Sequence, residues 1–300
     1  MNKILRETIK EITTKHLKNG GLCLGQNLTA VGWVNGTLPA LYEEDGMIEL
    51  PTSDCSNSGF AVGCALVGKK VIYIVRYQGF QWLNSSFLVN YSAKSKEMWG
   101  KPCPMFVRSI AKCGGAGPVA SNSIASLFYH MPGCKVSFPM TSVEYQNVYD
   151  QFMKDDDVYY VSEHANSYVN SEEFEDKILK KSDIVLCPIG ISRFEAEKAQ
   201  NILKNDGINA SIFHLMQIKP FLEKEGMMEA IKKSKYGAAV IIDEYPNGIG
   251  KCLSSDFMLT TGKPCYTIGL EEKTAGFHKN VDVLSPNAEQ IAARIKEICK

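Results

Sequence analysis

Short apolar stretches alternate along this chain with longer stretches that carry an apolar residue at every third or fourth position. Short apolar runs rich in β-branched and aromatic residues are typical of buried strands, and the wider spacing is typical of amphipathic helices. In the first half, this pattern predicts strands at residues 22–24, 70–77, 105–110, 134–138 and 157–162. It predicts helices at residues 3–18, 56–67, 85–98 and 142–153.

The alternation returns after a polar and charged stretch at residues 165–182. Strands are predicted at 184–189, 210–215, 238–243 and 266–270, and helices at 193–205, 222–233, 250–260 and 287–298. Strands that alternate with helices predict mainly parallel sheets covered by helices. We therefore expect an α/β protein of two domains, residues 1–164 and 183–300, joined by a linker at 165–182. Each domain should contain a mainly parallel sheet flanked by helices.

Charge and composition narrow the function classes. Lysine plus arginine and aspartate plus glutamate both number 33, so the formal net charge is zero. This balance gives no support for binding to nucleic acids or membrane surfaces. We find no signal peptide, and no apolar run approaches the roughly 20 residues of a membrane span. The ten cysteines and five histidines show no metal-ligand spacing, so we predict reduced thiols, no metal site in this chain, and a cytoplasmic location.

The most informative segment for chemistry is LPTSDCSNSGFAVG, which covers residues 50–63. In it Asp54 ends an extended segment, and the small residues that follow open a helix. A carboxylate is thereby fixed at a strand-to-helix corner, where α/β folds bind ligands. Aspartate is also a favoured residue at helix starts, so a simple capping role is the alternative interpretation.

Several further segments occur in an order and spacing that resemble a known family. They are Gly25-Gln26-Asn27, Arg76-Tyr77-Gln78-Gly79-Phe80, His130-Met131-Pro132-Gly133-Cys134-Lys135-Val136, and Asp155-Asp156-Asp157 before a strand that ends in Glu163. Together with residues 50–63, they resemble the pyrimidine-binding domain of transketolase-type thiamine diphosphate enzymes. Within that class, they resemble the beta subunit of the 2-oxoacid dehydrogenase E1 component. Residues 183–190, 207–217 and 238–250 resemble the transketolase C-terminal domain.

The resemblance implies a cofactor site shared between two domains. Thiamine diphosphate would bind between a pyrimidine domain and a diphosphate domain. Asp54 would contact the pyrimidine ring as the catalytic residue, in place of the family's glutamate, which is one methylene longer. Tyr77 and Phe80 would stack on the cofactor, although aromatic residues at a strand end are more often core. Phe80 and Trp82 could equally fill an interface with a partner.

Two departures from the family pattern change the expected role. The family has an active-site histidine in a G-x-x-H-S-Q-S-like stretch, and Ala120 stands at that position here. Alanine cannot transfer protons, which argues against standard acyl transfer to lipoamide. The family's G-D-G motif, which holds Mg²⁺ on the diphosphate, is absent from the sequence. An alpha-like subunit would therefore supply the Mg²⁺–diphosphate half, in an α2β2 assembly.

The resemblance also implies a structural K⁺ site near residues 153–157, for which a solvated acidic helix end is the other interpretation. The function expected first is a beta-like subunit of a thiamine diphosphate enzyme that makes or breaks a C–C bond next to a carbonyl. It would transfer a two-carbon acyl or ketol unit from a 2-oxoacid or ketose. The alternatives are an E1 beta subunit that feeds a lipoyl enzyme, and a non-catalytic structural or regulatory subunit.

Overall fold

The computed structural model describes residues 3–113, 123–271 and 284–300, which form two compact units. The first unit contains the described residues up to Lys112, those from 123 to Glu173, and Gln217–Pro220. The second unit contains Cys113, Phe174–Met216 and the described residues from Phe221 onwards. The chain passes from the first unit to the second after Glu173, within the stretch predicted as a linker, and returns to the first unit for Gln217–Pro220.

A seven-stranded sheet forms the centre of the first unit, with the spatial order β2-β1-β3-β4-β6-β5-β9. All neighbouring strands are parallel except β5 and β9, which are antiparallel. The strands are β1 (Leu22–Gln26), β2 (Met47–Leu50), β3 (Val71–Val75), β4 (Met105–Ala111), β5 (Cys134–Ser137), β6 (Val158–His164) and β9 (Gln217–Lys219). Every residue of β3, β4 and β6 is buried, as expected for a sheet covered on both faces.

Besides the short helix Ser126–Tyr129 and the irregular segment Ala30–Gly36, five helices of the first unit accompany this sheet. They are α1 (Leu5–Lys18), α2 (Asp54–Leu66), α3 (Gln81–Phe87), α4 (Ser95–Trp99) and α5 (Ser142–Lys154). The single helix predicted over residues 85–98 is wrong, because a π-helical turn at Leu88–Ser92 separates α3 from α4. Ser92 and Ser95 donate their hydroxyls to the carbonyls of Cys103 and Lys101 (2.8 and 2.6 Å), and such side-chain bonds to backbone compete with a regular helix.

A buried ion pair joins β4 to β6 within the first sheet. Arg108 and Glu163 are 1% and 2% exposed, and their side chains form two parallel hydrogen bonds, Nε to Oε1 (2.7 Å) and Nη2 to Oε2 (3.0 Å). Tyr145 and Tyr168 each donate a hydroxyl to the same carboxylate at 2.6 Å. Burial raises the pKa of both tyrosines well above the usual value, so they remain donors.

The second unit repeats the architecture on a smaller scale. Its four strands are all parallel in the order β11-β10-β7-β8: β7 (Ile184–Pro188), β8 (Ala210–Ile212), β10 (Ala238–Ile241) and β11 (Cys265–Ile268). Its helices are α6 (Ser192–Asn205), α7 (Met227–Lys233), α8 (Ile249–Thr261) and α9 (Ala288–Ile298). The predicted α/β class, with mainly parallel sheets flanked by helices, is confirmed. In the described part of the chain, no helix is both long and apolar enough to cross a membrane.

Candidate active site

Three neighbouring strands of the first sheet bring the candidate residues to one edge. β2, β1 and β3 are adjacent and parallel, so their carboxyl ends lie on the same side of the sheet. Gln26 is the last residue of β1, the end of β2 leads into α2 at Asp54, and the end of β3 leads to Tyr77 and Phe80. This edge, at the carboxyl ends of parallel strands, is the usual position of ligand sites in α/β folds.

The Asp54 carboxylate is held by two side-chain amides. Gln26 Nε2 donates to Oδ1 at 2.6 Å, and Asn84 Nδ2 donates to the same oxygen at 2.7 Å. Within residues 3–113, 123–271 and 284–300, Oδ2 has no hydrogen-bond partner. Asp54 is half-buried and opens α2, and the capping position before it belongs to Ser53, whose side chain makes no capping bond. The contacts therefore favour a polar site over a simple capping role for Asp54.

Asn84 is buried, and its surroundings fix the orientation of its amide. Its Nδ2 also donates to the carbonyl of Phe80 at 2.9 Å, and its Oδ1 accepts the hydroxyl of Tyr73. The carboxylate of Asp54 and the carbonyl of Phe80 only accept hydrogen bonds, so the NH₂ group must face them. Burial, helped by the nearby Asp54 and Cys55, raises the pKa of Tyr73 above its usual value and keeps it a donor.

Each residue of the Gly25-Gln26-Asn27 segment has its own structural role. A Cβ on Gly25 would lie 2.7 Å from the carbonyl oxygen of Ile74, so only glycine permits the close approach of β1 and β3. Gln26 contacts Asp54, and its Oε1 is buried without a partner in the described part of the chain. Asn27 has φ 55°, a left-handed conformation that asparagine tolerates better than most residues.

The turn that carries Tyr77 and Phe80 is anchored by the residue between them. Gln78 is fully buried, and its Nε2 donates to the Ser109 carbonyl (3.1 Å) and the Ser162 hydroxyl (2.8 Å). Its Oε1 accepts from the backbone N–H of Ile124 at 2.8 Å. Tyr77 and Phe80 are themselves half-buried, so part of each ring faces solvent while the turn beneath is fixed.

The other predicted positions have mixed outcomes. Ala120 lies outside the described residues. Trp82 is 67% exposed on α3, next to the half-exposed Leu83. The run Asp155–Asp157 forms ion pairs with lysines, and the predicted potassium site near 153–157 remains a prediction. In the described part of the chain, no group of three or more His, Cys, Asp or Glu side chains could hold a metal ion.

The sequence did not reveal four residues of the candidate site as such: Gln26, Tyr73, Gln78 and Asn84. Gln26 and Gln78 lie inside the segments that resembled the family, so their position was the available signal. Tyr73 has the pattern of an ordinary buried strand residue, and Asn84 has that of a polar helix residue. Their roles depend on the spatial proximity of β1, β3 and α3, which no local pattern encodes.

The arrangement suits a ligand with a polar aromatic ring. A carboxylate with one oxygen fixed by amides can present the other oxygen to a ring nitrogen, and the buried Oε1 of Gln26 can accept one further hydrogen bond. Half-exposed aromatic rings on a rigid turn can stack on a heterocycle. These groups fit the pyrimidine part of thiamine diphosphate, which the sequence resemblance implied.

Comparison with known proteins supports the resemblance to transketolase-type pyrimidine-binding domains. Residues 25–170 match the family "Transketolase, pyrimidine binding domain". The beta subunit of acetoin:2,6-dichlorophenolindophenol oxidoreductase from Cupriavidus necator is 27% identical over 241 residues, 75% of this chain and 70% of that protein. The beta subunit of the pyruvate dehydrogenase E1 component from Rickettsia felis is 26% identical over 278 residues, 84% of this chain and 83% of that protein.

Solved structures show the same fold at lower sequence identity. A structure described as "Split gene transketolase, inactive beta4 tetramer" has a TM-score of 0.75 and 13% identity, over 100% of this chain and 99% of that one. A transketolase mutant from Pichia stipitis has a TM-score of 0.77 and 14% identity, over 99% of this chain and 46% of that one. Residues 25–170 therefore form a transketolase pyrimidine-binding domain, and 84% of the chain is similar to the beta subunit of a pyruvate dehydrogenase E1 component.

Proposed function

We propose that this chain is the beta-like subunit of an enzyme that uses thiamine diphosphate to make or break a C–C bond next to a carbonyl. The favoured reaction is transfer of a two-carbon acyl or ketol unit from a 2-oxoacid or ketose. The observation that carries this proposal is the fixed carboxylate of Asp54, which is held through Oδ1 by Gln26 and Asn84 and keeps Oδ2 without a partner in the described chain.

In this proposal, Asp54 is the catalytic residue, and Tyr77 and Phe80 bind the cofactor. Bound thiamine diphosphate would supply the group that attacks the substrate carbonyl. Asp54 would share a proton with the pyrimidine ring nitrogen through Oδ2. Tyr77 and Phe80 would stack on the cofactor, which adds about 0.5–1.5 kcal/mol per ring beyond burial. Gln26 and Asn84 would prevent the Asp54 carboxyl from rotating away.

A partner subunit completes the proposed site. The absence of G-D-G from the sequence, and of a metal-binding group from the described residues, supports an alpha-like subunit that holds Mg²⁺ and the diphosphate, in an α2β2 assembly. Exposed apolar side chains near the site support a surface that the partner subunit covers. Phe60, Trp82 and Leu83 are at least half exposed on α2 and α3, which carry Asp54 and Asn84. All ten cysteines are free, which supports the proposed cytoplasmic location.

A second candidate is an E1 beta subunit that passes an acyl group to a lipoyl enzyme. It is favoured by the similarity to pyruvate dehydrogenase E1 beta subunits over 84% of the chain. Ala120, at the position of the family's active-site histidine, favours the first candidate, because its side chain cannot donate a proton during acyl transfer.

Turnover assays of the co-purified pair test the proposal and separate the two candidates. With Mg²⁺ and thiamine diphosphate, we expect the pair to decarboxylate a 2-oxoacid or cleave a ketose, and to transfer the fragment to a carbonyl acceptor. Reduction of lipoamide in the same mixture would identify the E1 reaction instead. If neither 2-oxoacids nor ketoses are consumed, the proposal fails.

Replacing Asn84 with alanine is expected to lower kcat by about 10–100-fold, because Asp54 would lose one of the two amides that orient it. The free energy of unfolding should fall by about 1–3 kcal/mol, because the buried hydroxyl of Tyr73 loses its acceptor. Asn90→Ala, on the exposed side of the π-helical turn, serves as the control and should change neither quantity. Equal activity in both variants would mean that Asn84 does not position the carboxylate.

A further inference from the structure

The end of α5 combines several groups that attract a cation. The last carbonyls of a helix have no partner within the helix and carry its partial negative charge. Asp155, Asp156 and Asp157 follow directly after the helix ends at Lys154. Carbonyl and carboxylate oxygens are also the ligands of hard cations. Such a segment attracts positive charge, which either a bound ion or the protein itself can supply.

Lys70 places its ammonium group on the helix end itself. It lies immediately before β3, and its Nζ donates to the backbone carbonyls of Phe152 (3.2 Å) and Asp155. The same nitrogen is 3.5 Å from Asp156 Oδ1 and 5.0 Å from the centre of the Phe152 ring. Its side chain is 24% exposed, so the charge is partly withdrawn from solvent. One ammonium group therefore meets backbone oxygens, a carboxylate and an aromatic face together.

Two more lysines pair with the remaining carboxylates. Lys135, on β5, contacts Asp155 Oδ2 and lies 3.1 Å from Asp157 Oδ2, while Lys96, on α4, lies 2.8 Å from Asp157 Oδ1. Burial would raise the pKa of Asp155, but hydrogen bonds led by that from Lys135 hold it below its usual range. The three aspartates are thus matched by three lysines from three different parts of the first unit.

We propose that the ammonium group of Lys70 takes the place of a structural potassium ion at this helix end, so that the fold of this chain does not require K⁺. A potassium ion on the carbonyl oxygens of Phe152 and Asp155 would lie next to the ammonium group that already binds both. Two positive charges a few ångströms apart repel each other, and the cost is large where solvent is partly excluded. The potassium site that the family resemblance implied therefore does not fit the residues present.

Thermal unfolding of the purified full chain in matched chloride salts tests this inference. All three tryptophans (Trp33, Trp82 and Trp99) lie in the first unit, so their fluorescence reports the unit that contains Lys70. At equal ionic strength, we expect the same Tm in potassium, sodium and choline chloride. A Tm higher in potassium than in both other salts would overturn the inference. This comparison uses the unaltered protein, so it does not depend on whether any variant folds.

The variant Lys70→Met separates this role from a general charge effect. Loss of charge-assisted bonds to the helix end should lower Tm by about 3–6 °C. Lys69→Met is the matched control, because Lys69 is exposed and its ammonium group donates to the Gly20 carbonyl at 3.3 Å rather than to the carbonyls at the end of α5. Its Tm should be unchanged. Equal Tm values for the two variants would also contradict the proposed role of Lys70.

Discussion

Replacing Asp54 with alanine is expected to lower the turnover of the assembled enzyme by about 100–10,000-fold, the range typical for loss of an acid–base group. The carboxylate is the acidic group that Gln26 and Asn84 hold at the carboxyl edge of the sheet. Asp54→Asn should be as inactive as Asp54→Ala, because an amide has nearly the same shape but not the carboxylate chemistry. Both variants should still co-purify with the partner, since Asp54 is half-buried and its removal creates little cavity.

The control for this prediction is Asp150→Ala, which removes an exposed carboxylate on α5 and should leave turnover unchanged. The measurement is kcat of the co-purified pair, with assembly checked by gel filtration. Full activity of Asp54→Ala in an intact assembly would mean that this carboxylate takes no part in the reaction. The chain would then be a structural or regulatory subunit on the same fold.

Replacing Glu163 with glutamine is expected to lower the free energy of unfolding of the first unit by about 3–5 kcal/mol, because the charge of Arg108 would remain buried without its counter-charge. The amide NH₂ would also face donors, since Arg108, Tyr145 and Tyr168 all donate to this carboxylate. The expected fall in Tm is about 6–15 °C. Tryptophan fluorescence follows this unit, because Trp33, Trp82 and Trp99 all lie in it.

Glu11→Gln is the matched control for the buried pair. Glu11 pairs with Lys3 at the surface of the same unit, and their side chains are 64% and 46% exposed. Exposed pairs contribute only about 0–1 kcal/mol, so the free energy of unfolding should barely change. If Glu163→Gln is no less stable than Glu11→Gln, the buried network does not hold β4 and β6 together.

The regular elements of both units follow from local patterns. β4 (Met105–Ala111) and α5 (Ser142–Lys154) match their predictions closely, because each has a strong apolar pattern with clear end signals. At the start of α5, the hydroxyl of Thr141 accepts the backbone N–H of Glu144 at 3.3 Å and so caps the helix. The α/β class and the mainly parallel sheets therefore follow from the amino-acid sequence alone.

Segments whose conformation depends on tertiary contacts could not be predicted. Residues 31–35 all have φ between 51° and 59°, and four of them are not glycine. A left-handed conformation costs roughly 1–2 kcal/mol per such residue, so no propensity favours this segment. It ends near Thr37, whose hydroxyl donates to the Val34 carbonyl (2.8 Å) and accepts from Arg108 Nη2 (3.0 Å). The left-handed segment is therefore accompanied by a contact with Arg108 of the buried ion pair, which is distant from it in sequence.

In the candidate site too, some features could be predicted from the sequence and others could not. Asp54 was identifiable from its position between an extended segment and a helix of small residues, and from the family resemblance. Its two amide partners were not, because Gln26 and Asn84 are separated from it by 28 and 30 positions. Sequence alone gives the residue that we propose carries the chemistry. The side chains that orient it emerge only when β1, α2 and α3 are brought together.

Calorimetric binding of thiamine diphosphate in the presence of Mg²⁺ tests the central claim most directly. The titration would use this chain alone, then the complex with its co-purified alpha-like partner, and then the same complex with Asp54→Ala. We predict no measurable binding by the chain alone, saturable binding by the complex, and weaker binding by the variant complex. No binding by the wild-type complex would contradict the claim that this chain contributes the pyrimidine half of a cofactor site.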